Sequence, residues 1–170
     1  MESVDYLIIV ASIEQNMKLA NSIQEQLTSL DQSSKIIDIV ALNLPIYTSK
    51  REDEDGSPEA INTIVEEMKE AKAYIFVSPE YNYSIPPTLT NYIAWVSRVG
   101  DDFRVLFSEK AILNATFSGG GGADVLNAMR VQFTKLGAMV MPREVLTNYA
   151  KPLNAESLKK TLSQLIKFSA

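Results

Sequence analysis

The stretch that decides the fold reads Ala73-Tyr74-Ile75-Phe76-Val77-Ser78-Pro79-Glu80-Tyr81-Asn82-Tyr83-Ser84-Ile85-Pro86-Pro87. Its first five residues are apolar and rich in β-branched and aromatic side chains, which predicts a buried strand. The three prolines exclude regular strand pairing, because each fixes φ and removes an N–H. Leu89, Ile93 and Val96 then recur at helical spacing, so the loop leads into a helix. Ligands of open α/β sheets bind outside the carboxyl ends of the strands, and this loop is therefore the first candidate for a binding site.

Other apolar runs predict four more strands, over residues 6–11, 36–41, 110–117 and 138–141, the last with an extension through residues 144–146. Helical spacing predicts helices over residues 17–30, 59–68, 123–136 and 154–166. Ser57-Pro58-Glu59 is expected to open the second of these, with Ser57 as its cap. Gly137 is expected to end the third in a left-handed conformation. Residues 42–58 show neither the period of a helix nor the period of a strand, and they are predicted to be a surface loop with a solvated acidic run over residues 51–55.

Strands that alternate with helices in this way predict a parallel sheet joined by right-handed crossovers. The expected fold is α/β: a flavodoxin-like, doubly wound three-layer sandwich with five parallel strands in the order 2-1-3-4-5, formed by residues 1–170 as one domain. This order brings three loops to one edge of the sheet. We call them the first loop (residues 12–16), the second loop (residues 78–86) and the third loop (residues 118–122).

The composition excludes several classes of function. The net charge of −5 argues against a nucleic-acid surface, which needs clustered Lys and Arg. The chain has no Cys and no His, which removes disulfides, zinc sites built on thiolate or imidazole, Cys nucleophiles and Ser-His-Asp triads. No apolar run approaches the ~20 residues that span a bilayer, and residues 1–5 lack the basic start of a signal peptide. We therefore expect a cytoplasmic protein without membrane contact, whose partners are small molecules or proteins.

A family resemblance rests on the pattern Pro79-Glu80-Tyr81-Asn82-x-Ser84-x-Pro86-x-x-Leu89-x-Asn91-x-Ile93-x-Trp95. It resembles the signature of the flavodoxin-like NAD(P)H-dependent FMN reductases, which include quinone, chromate and azo-dye reductases. The resemblance implies FMN as the cofactor, NADPH or NADH as co-substrate and a small electron-poor acceptor. It also implies a homodimer or homotetramer in which a second subunit completes the pocket.

The first loop joins a strand to a helix, whose leading N–H groups have no partners within the helix and can receive a phosphate. Ser12 and Asn16 are the candidate side-chain donors; the alternative, which this loop by itself favours, is that one of them only caps the helix. Similar reductases carry Gly-Ser, an Arg, a second Ser and an Asn here. This chain has Ala11-Ser12-Ile13-Glu14-Gln15-Asn16, which is shorter, lacks the Arg and brings the negative charge of Glu14 towards a phosphate.

The second loop offers what a flat redox ring needs, which is an aromatic or apolar surface with a few fixed donors and acceptors. The resemblance implies that five of its residues border the flavin, largely through their backbone: Pro79, Glu80, Tyr81, Asn82 and Ser84. The alternative is a rigid turn whose tyrosines pack on a neighbour. Trp95 lies on the same helix face as Tyr92, and we expect it to pack in the core or in a subunit contact rather than on the ligand.

The third loop contains Ser118 and four of the seven glycines of the chain. Glycine adopts positive φ and lets the backbone approach a ligand closely. The alternative, from glycine content alone, is a mobile loop. In the resembled family a loop at this place meets the dimethylbenzene side of the flavin and the nicotinamide pocket, which assigns Ser118, Gly119 and Gly120 to the site.

The function expected from these observations is an FMN-dependent NAD(P)H oxidoreductase, in which the nicotinamide cofactor and the acceptor, a quinone or a free flavin, use one pocket in turn. The protein positions the partners, and no side chain is assigned a catalytic step. Glu80 beside the ring is expected to modulate its redox potential. Two alternatives stay open: a flavodoxin-type electron carrier without a nicotinamide pocket, and a family member that has lost flavin and acts as a binding protein.

Overall fold

The computed structural model describes residues 4–98, 102 and 104–170, and it confirms the doubly wound fold. Part of the polar connection predicted over residues 100–109, including Phe103, lies outside the described residues. Within them the elements run in the order β1 (Tyr6–Val10), α1 (Gln15–Thr28), β2 (Ser34–Asp38), α2 (Ser49–Asp55), α3 (Glu59–Glu70), β3 (Ala73–Val77), α4 (Pro87–Val96), β4 (Ala111–Phe117), α5 (Ala123–Lys135), β5 (Met139–Val140), β6 (Val145–Thr147) and α6 (Ala155–Phe168). The described strands pair in parallel in the order β2-β1-β3-β4-β5, and β6 also pairs with β4.

The central strands are buried on both faces, as their continuous apolar runs predict. Ile8 of β1 aligns with Ile75 of β3, which in turn aligns with Leu113 of β4. Side chains alternate between the two faces of a strand. On one face, Leu7, Ile9, Tyr74 and Phe76 pack against α3, α4 and α5. On the other face, Ile8, Val10, Ile75 and Val77 pack against α1 and α6, which gives the three layers.

The second strand begins and ends earlier than the sequence predicts. The expectation was residues 36–41, whereas β2 spans Ser34–Asp38. The reason is a local turn: Oδ1 of Asp38 accepts hydrogen bonds from the N–H groups of Val40 at 2.9 Å and Ala41 at 3.1 Å. An aspartate that bonds the backbone two or three residues ahead turns the chain and stops the strand.

The predicted surface loop over residues 42–58 contains a helix, α2, so the acidic run over residues 51–55 is helical rather than a loop, although α2 has no buried residue and the prediction that the run is solvated is confirmed. Thr48 caps α2 by accepting from the N–H of Arg51 at 3.1 Å. Ser57 does not cap α3 as expected, because Pro58 occupies the cap position, and Ser57 Oγ is buried without a hydrogen-bond partner among the described residues. The helical face of α3 is confirmed by four buried residues, Ile61, Ile64, Val65 and Met68.

The predicted fifth strand is two short strands, β5 and β6, which pair with successive parts of β4. Between them Arg130 of α5 donates to the carbonyl of Met141 at 2.8 Å and forms an ion pair with Glu144 at 2.7 Å. Arg130 thus replaces part of the pairing that the interrupted strand leaves unmade. Gly137 has a φ of +99°, so the predicted left-handed end of α5 is confirmed.

Candidate functional site

The carboxyl ends of β1, β3, β4 and β6 lie at one edge of the sheet because these strands are parallel. Four connections therefore converge there. They are the three predicted loops and a fourth loop, residues 148–154 after β6, which the sequence analysis did not single out. A crevice at this edge is where open α/β sheets bind their ligands.

Asn16 connects the first loop to the end of β4. It is the buried second residue of α1, its Nδ2 donates to the carbonyl of Phe117 at 3.0 Å, and its Oδ1 accepts from the N–H of Phe117 at 2.7 Å. The expectation that Asn16 or Ser12 caps α1 was therefore wrong, because Glu14 holds the cap position and no side chain makes the cap bond. Asn16 instead satisfies both polar groups of one strand-end residue. Ser12 is half-buried in the loop, and no hydrogen bond within the described part of the chain joins it to the other loops.

The start of α1 is open to an anion. Among the described residues, none accepts from the N–H groups of Gln15, Asn16 or Met17, whereas Lys18 already donates to the carbonyl of Glu14 at 3.1 Å. Such N–H groups carry the positive end of the helix dipole and favour a phosphate. Glu14 is exposed at the same place, and its charge opposes that effect.

The second loop forms a two-residue hairpin turn. Tyr81 and Ser84 exchange backbone hydrogen bonds of 3.1 and 3.0 Å, and the residues between them, Asn82 and Tyr83, have φ values of +50° and +61°. Positive φ is common for Asn in such turns but rare for a bulky Tyr. The N–H groups of Asn82 and Tyr83 have no acceptor among the described residues, and the residues Tyr81 and Tyr83 are 51% and 78% exposed. The turn thus presents open donors beside aromatic surface.

Glu80 joins the second loop to the third loop and to α5. Its Oε2 accepts from Ser118 Oγ at 2.8 Å and from the N–H of Gly122 at 3.0 Å, and its Oε1 accepts from the N–H of Val125 at 3.3 Å. Partial burial by itself would raise the pKa of Glu80, but these hydrogen bonds outweigh it and hold the pKa below its ordinary value. The carboxylate is therefore kept ionised at the start of α5.

The third loop is tied down at both ends. Ser118 is buried, its N–H donates to the carbonyl of Thr147, and its Oγ accepts from the N–H of Gly120 at 3.0 Å. Of the four glycines only Gly122 needs to be glycine, because its φ is +79° and an added Cβ would lie 3.1 Å from Thr116 Cγ2. A Cβ on Gly119 would meet no atom within 4 Å, so that position is open space.

The fourth loop completes the edge. Asn148 Nδ2 donates to the carbonyl of Gly120 at 3.3 Å, and the ring of Tyr149, which is 77% exposed, meets Phe117 edge to face with centroids 5.1 Å apart. A cavity of about 360 Å³ lies between this loop and α1, with Lys18 in its wall. The signal in the sequence was the Asn-Tyr pair at residues 148 and 149, shortly after residues 144–146, which the sequence analysis treats only as a strand extension.

The signature residues of α4 hold the segment that precedes α2. Asn91 accepts from the N–H of Tyr47 at 2.8 Å, and Trp95 Nε1 donates to the carbonyl of Pro45 at 2.7 Å. The hydrogen bond from the hydroxyl of Tyr47 and the proximity of Arg98 lower the pKa of Glu52. Trp95 is fully buried, so the expectation that it packs in the core was correct. A cleft of about 550 Å³ lies between this segment and α4.

The donors at this edge fit a flat, phosphorylated ring such as FMN. Four helices start here, and they differ in what they offer an anion. α4 begins at Pro86 and Pro87, which have no N–H, Glu80 accepts from the N–H groups of Gly122 and Val125 at the start of α5, and Asn154 caps α6. Among the described residues, α1 has no side-chain cap and leaves three successive N–H groups without an acceptor, so it offers the most to a phosphate, and the Asn82–Tyr83 turn has open N–H groups for a ring edge.

Comparison with known proteins gives the same picture. The sequence model of a family described as NADPH-dependent FMN reductase matches residues 4–152. A quinone reductase of Escherichia coli (strain K12) is 33% identical over 131 residues, which cover 72% of this chain and 68% of the relative. Among solved structures, the flavoenzyme NAD(P)H:(acceptor) oxidoreductase FerB from Paracoccus denitrificans superimposes with a TM-score of 0.77 at 18% identity, over 98% of this chain and 95% of that one. A flavodoxin from the domain Archaea gives a TM-score of 0.66 at 14% identity, over 97% and 99%. At such identities the two structures show the fold alone.

Proposed function

Because the chain belongs to the NADPH-dependent FMN reductase family, we propose that it transfers a hydride from NADPH or NADH through bound FMN to a quinone, a free flavin or a similar electron-poor acceptor. One observation carries the proposal: the family match spans residues 4–152, and that range contains the first three loops and the first part of the fourth. The similarity is thus not confined to the core of a common fold.

Three groups of residues are proposed to hold FMN. Ser12 and the open N–H groups at the start of α1 receive the phosphate, and Asn16 fixes the position of that helix start. The turn after Pro79 and Glu80, with Tyr81, Asn82 and Ser84, borders the ring edge. The third loop, with Ser118, Gly119 and Gly120, borders its other side.

FMN supplies the hydride chemistry when it is bound, and the protein supplies placement. The proline-bounded second loop holds its donors in place before the ligand arrives, so less ordering entropy is lost on binding. The exposed rings of Tyr81 and Tyr83 offer flat surface that limits the access of water. No proton transfer by a side chain is required, and we propose none, in keeping with a chain that has no His and no Cys.

Compartment, domain organisation and assembly are part of the same proposal. We treat residues 1–170 as one cytoplasmic domain that works as a homodimer or homotetramer. The exposed tyrosines of the second loop, Tyr81 and Tyr83, suit coverage by a second subunit. The described residues include no helix with the length and apolar character to cross a membrane.

The deciding experiment is titration of the purified protein with FMN, followed by addition of NADPH or NADH without oxygen. Bleaching of the flavin absorbance, and its return when a quinone is added, is the expected result. Bound FMN that neither nucleotide reduces would instead indicate a flavodoxin-type electron carrier. A protein that does not bind FMN would indicate a family member without flavin, for which the exposed Glu14 and the absent Arg would be the cause.

A further inference from the structure

Helix α5 has no capping side chain of its own. Its cap position is Gly122, which lacks a side chain and adopts a φ of +79°. Helices normally satisfy their first N–H groups with a Ser, Thr, Asp or Asn at this position. Here the acceptor comes from a residue 42 positions earlier in the chain, because Glu80 receives the N–H groups of Gly122 and Val125.

The Glu80 carboxylate is occupied by these contacts on both of its oxygens. Oε2 accepts two hydrogen bonds, from Ser118 Oγ and the N–H of Gly122, and Oε1 accepts one from Val125. The pKa of Glu80 is lowered, which agrees with a charge satisfied by the start of a helix rather than one waiting for a ligand. The side chain therefore points into the protein framework.

The proposed flavin site is a slot between the Asn82–Tyr83 turn and the third loop, and both of these sides depend on the Glu80 carboxylate. On one side, Tyr81 follows Glu80 directly and opens the hairpin turn that carries the Asn82 and Tyr83 donors. On the other side, Ser118 Oγ donates to Glu80 and at the same time accepts from the N–H of Gly120 at 3.0 Å. A shift of the carboxylate would move the turn and reorient the Gly120 peptide together.

We propose that Glu80 is a positioning residue, which caps α5 from the second loop and thereby sets the spacing between the Asn82–Tyr83 turn and the third loop. This inference rests on the proposed function, because that function takes the turn and the third loop as the two sides of the slot. It assigns the side chain of Glu80 to the framework and leaves only its backbone for the flavin. It also explains why α1 rather than α5 is the phosphate-binding helix start.

The test compares Glu80→Gln with Asn154→Ala. Gln has the shape of Glu but replaces one acceptor oxygen with an NH2 group, so it cannot receive all three donors. Asn154, the last residue of the fourth loop, caps α6 by accepting from the N–H of Ser157 at 2.8 Å, so its replacement also removes a helix cap but breaks no hydrogen bond of the second or third loop. Both variants should lose thermal stability. Only Glu80→Gln should raise the dissociation constant for FMN, by roughly tenfold, because donors moved by a fraction of an ångström bind a rigid ring less well.

A second measurement uses the ligand-free protein. Residue-resolved amide exchange should be faster at Tyr81 and Ser84 in Glu80→Gln, and unchanged there in Asn154→Ala. Ser118→Ala, which keeps the charge of Glu80 and removes one donor, should shift both measurements in the same direction by a smaller factor, and it decides the matter if Glu80→Gln does not fold.

The inference is overturned if Glu80→Gln binds FMN as tightly as Asn154→Ala does. If the wild type itself fails to bind FMN, the proposed function falls, and the amide exchange still decides about Glu80. Faster exchange at Tyr81 and Ser84 then supports the positioning role, and unchanged exchange overturns it.

Discussion

Replacing Asn16 with Asp separates the two roles that this residue type has at the start of a helix. As a cap, Asp serves as well as Asn. As the bridge to Phe117, Asp keeps the acceptor that receives the Phe117 N–H but loses the Nδ2 that donates to the Phe117 carbonyl at 3.0 Å. The substitution therefore leaves a carboxylate oxygen facing a carbonyl oxygen in a buried place.

The expected loss of stability follows from that geometry. Removing the hydrogen bond and leaving the carbonyl unpaired costs about 2–4 kcal/mol, and the favourable placement of a negative charge in the first turn of α1 returns about 0.5–1 kcal/mol. We therefore expect a fall in the free energy of unfolding of about 1–3.5 kcal/mol. For a chain of this length that lowers Tm by roughly 2–14 °C.

The assay is urea unfolding of the wild type, Asn16→Asp and Asn154→Asp. Asn154 is a true cap, since it accepts from the N–H of Ser157 and makes no other side-chain hydrogen bond within the described ranges, so Asn154→Asp should change stability by no more than about 0.5 kcal/mol. If Asn16→Asp behaves like Asn154→Asp, the bridge to β4 does not hold α1 in place, and the reasoning is refuted.

Three further predictions concern the second and third loops. Gly122→Ala should lower the free energy of unfolding by about 1–3 kcal/mol, because φ is +79° and the new Cβ would lie 3.1 Å from a methyl group; Gly119→Ala, into open space, should stay within about 0.5 kcal/mol, and equal losses in urea would contradict this account. The folded-state pKa of Glu80 is lowered, so its contribution is present above the ordinary glutamate pKa and is lost as the pH falls through the lowered value. The stability difference between wild type and Glu80→Gln should shrink with falling pH, and a difference that widens would show the sign to be wrong. Tyr83→Gly removes the side chain of a bulky residue at φ +61°, which relieves backbone strain, so the free energy of unfolding should rise by about 0.5–1 kcal/mol and the urea midpoint should rise with it. A lower midpoint would argue against strain at the turn.

The fold could be predicted because its main signal is local. The apolar runs of β1, β3 and β4 identify strands that helices cover on both faces, and the alternation with helices leaves few topologies. The boundaries were less accurate where polar side chains act on their own backbone, as Asp38 does at the end of β2. α2 was missed because six of its seven residues are charged, and because its ties to the rest of the chain, such as the ion pair of Glu52 with Arg98 just after α4, involve distant residues that no pattern within residues 49–55 reveals.

The location of the candidate site could be predicted, but the roles of its side chains could not. Residue types mark Asn16 as a cap and Glu80 as a group beside a ring. Their actual partners, Phe117 and Gly122, lie 101 and 42 residues further along the chain. A single sequence carries no information about such pairs, because the same residue types satisfy local and distant partners equally well. The resemblance to a family supplied the loops, and the structure supplied the connections between them.

The bridge from Asn16 to Phe117 also bears on the order in which the molecule folds. Closing a segment of 101 residues costs more chain entropy than forming any hairpin or helix, so this contact cannot lead assembly. β1, β3 and β4 must already be paired when α1 docks on the last residue of β4. In a pulse-labelling experiment during refolding, the Phe117 amide should therefore gain protection after those of Ile75 and Leu113. The candidate site at the sheet edge is then completed late in folding, and nascent chains that lack β4 would have only part of it.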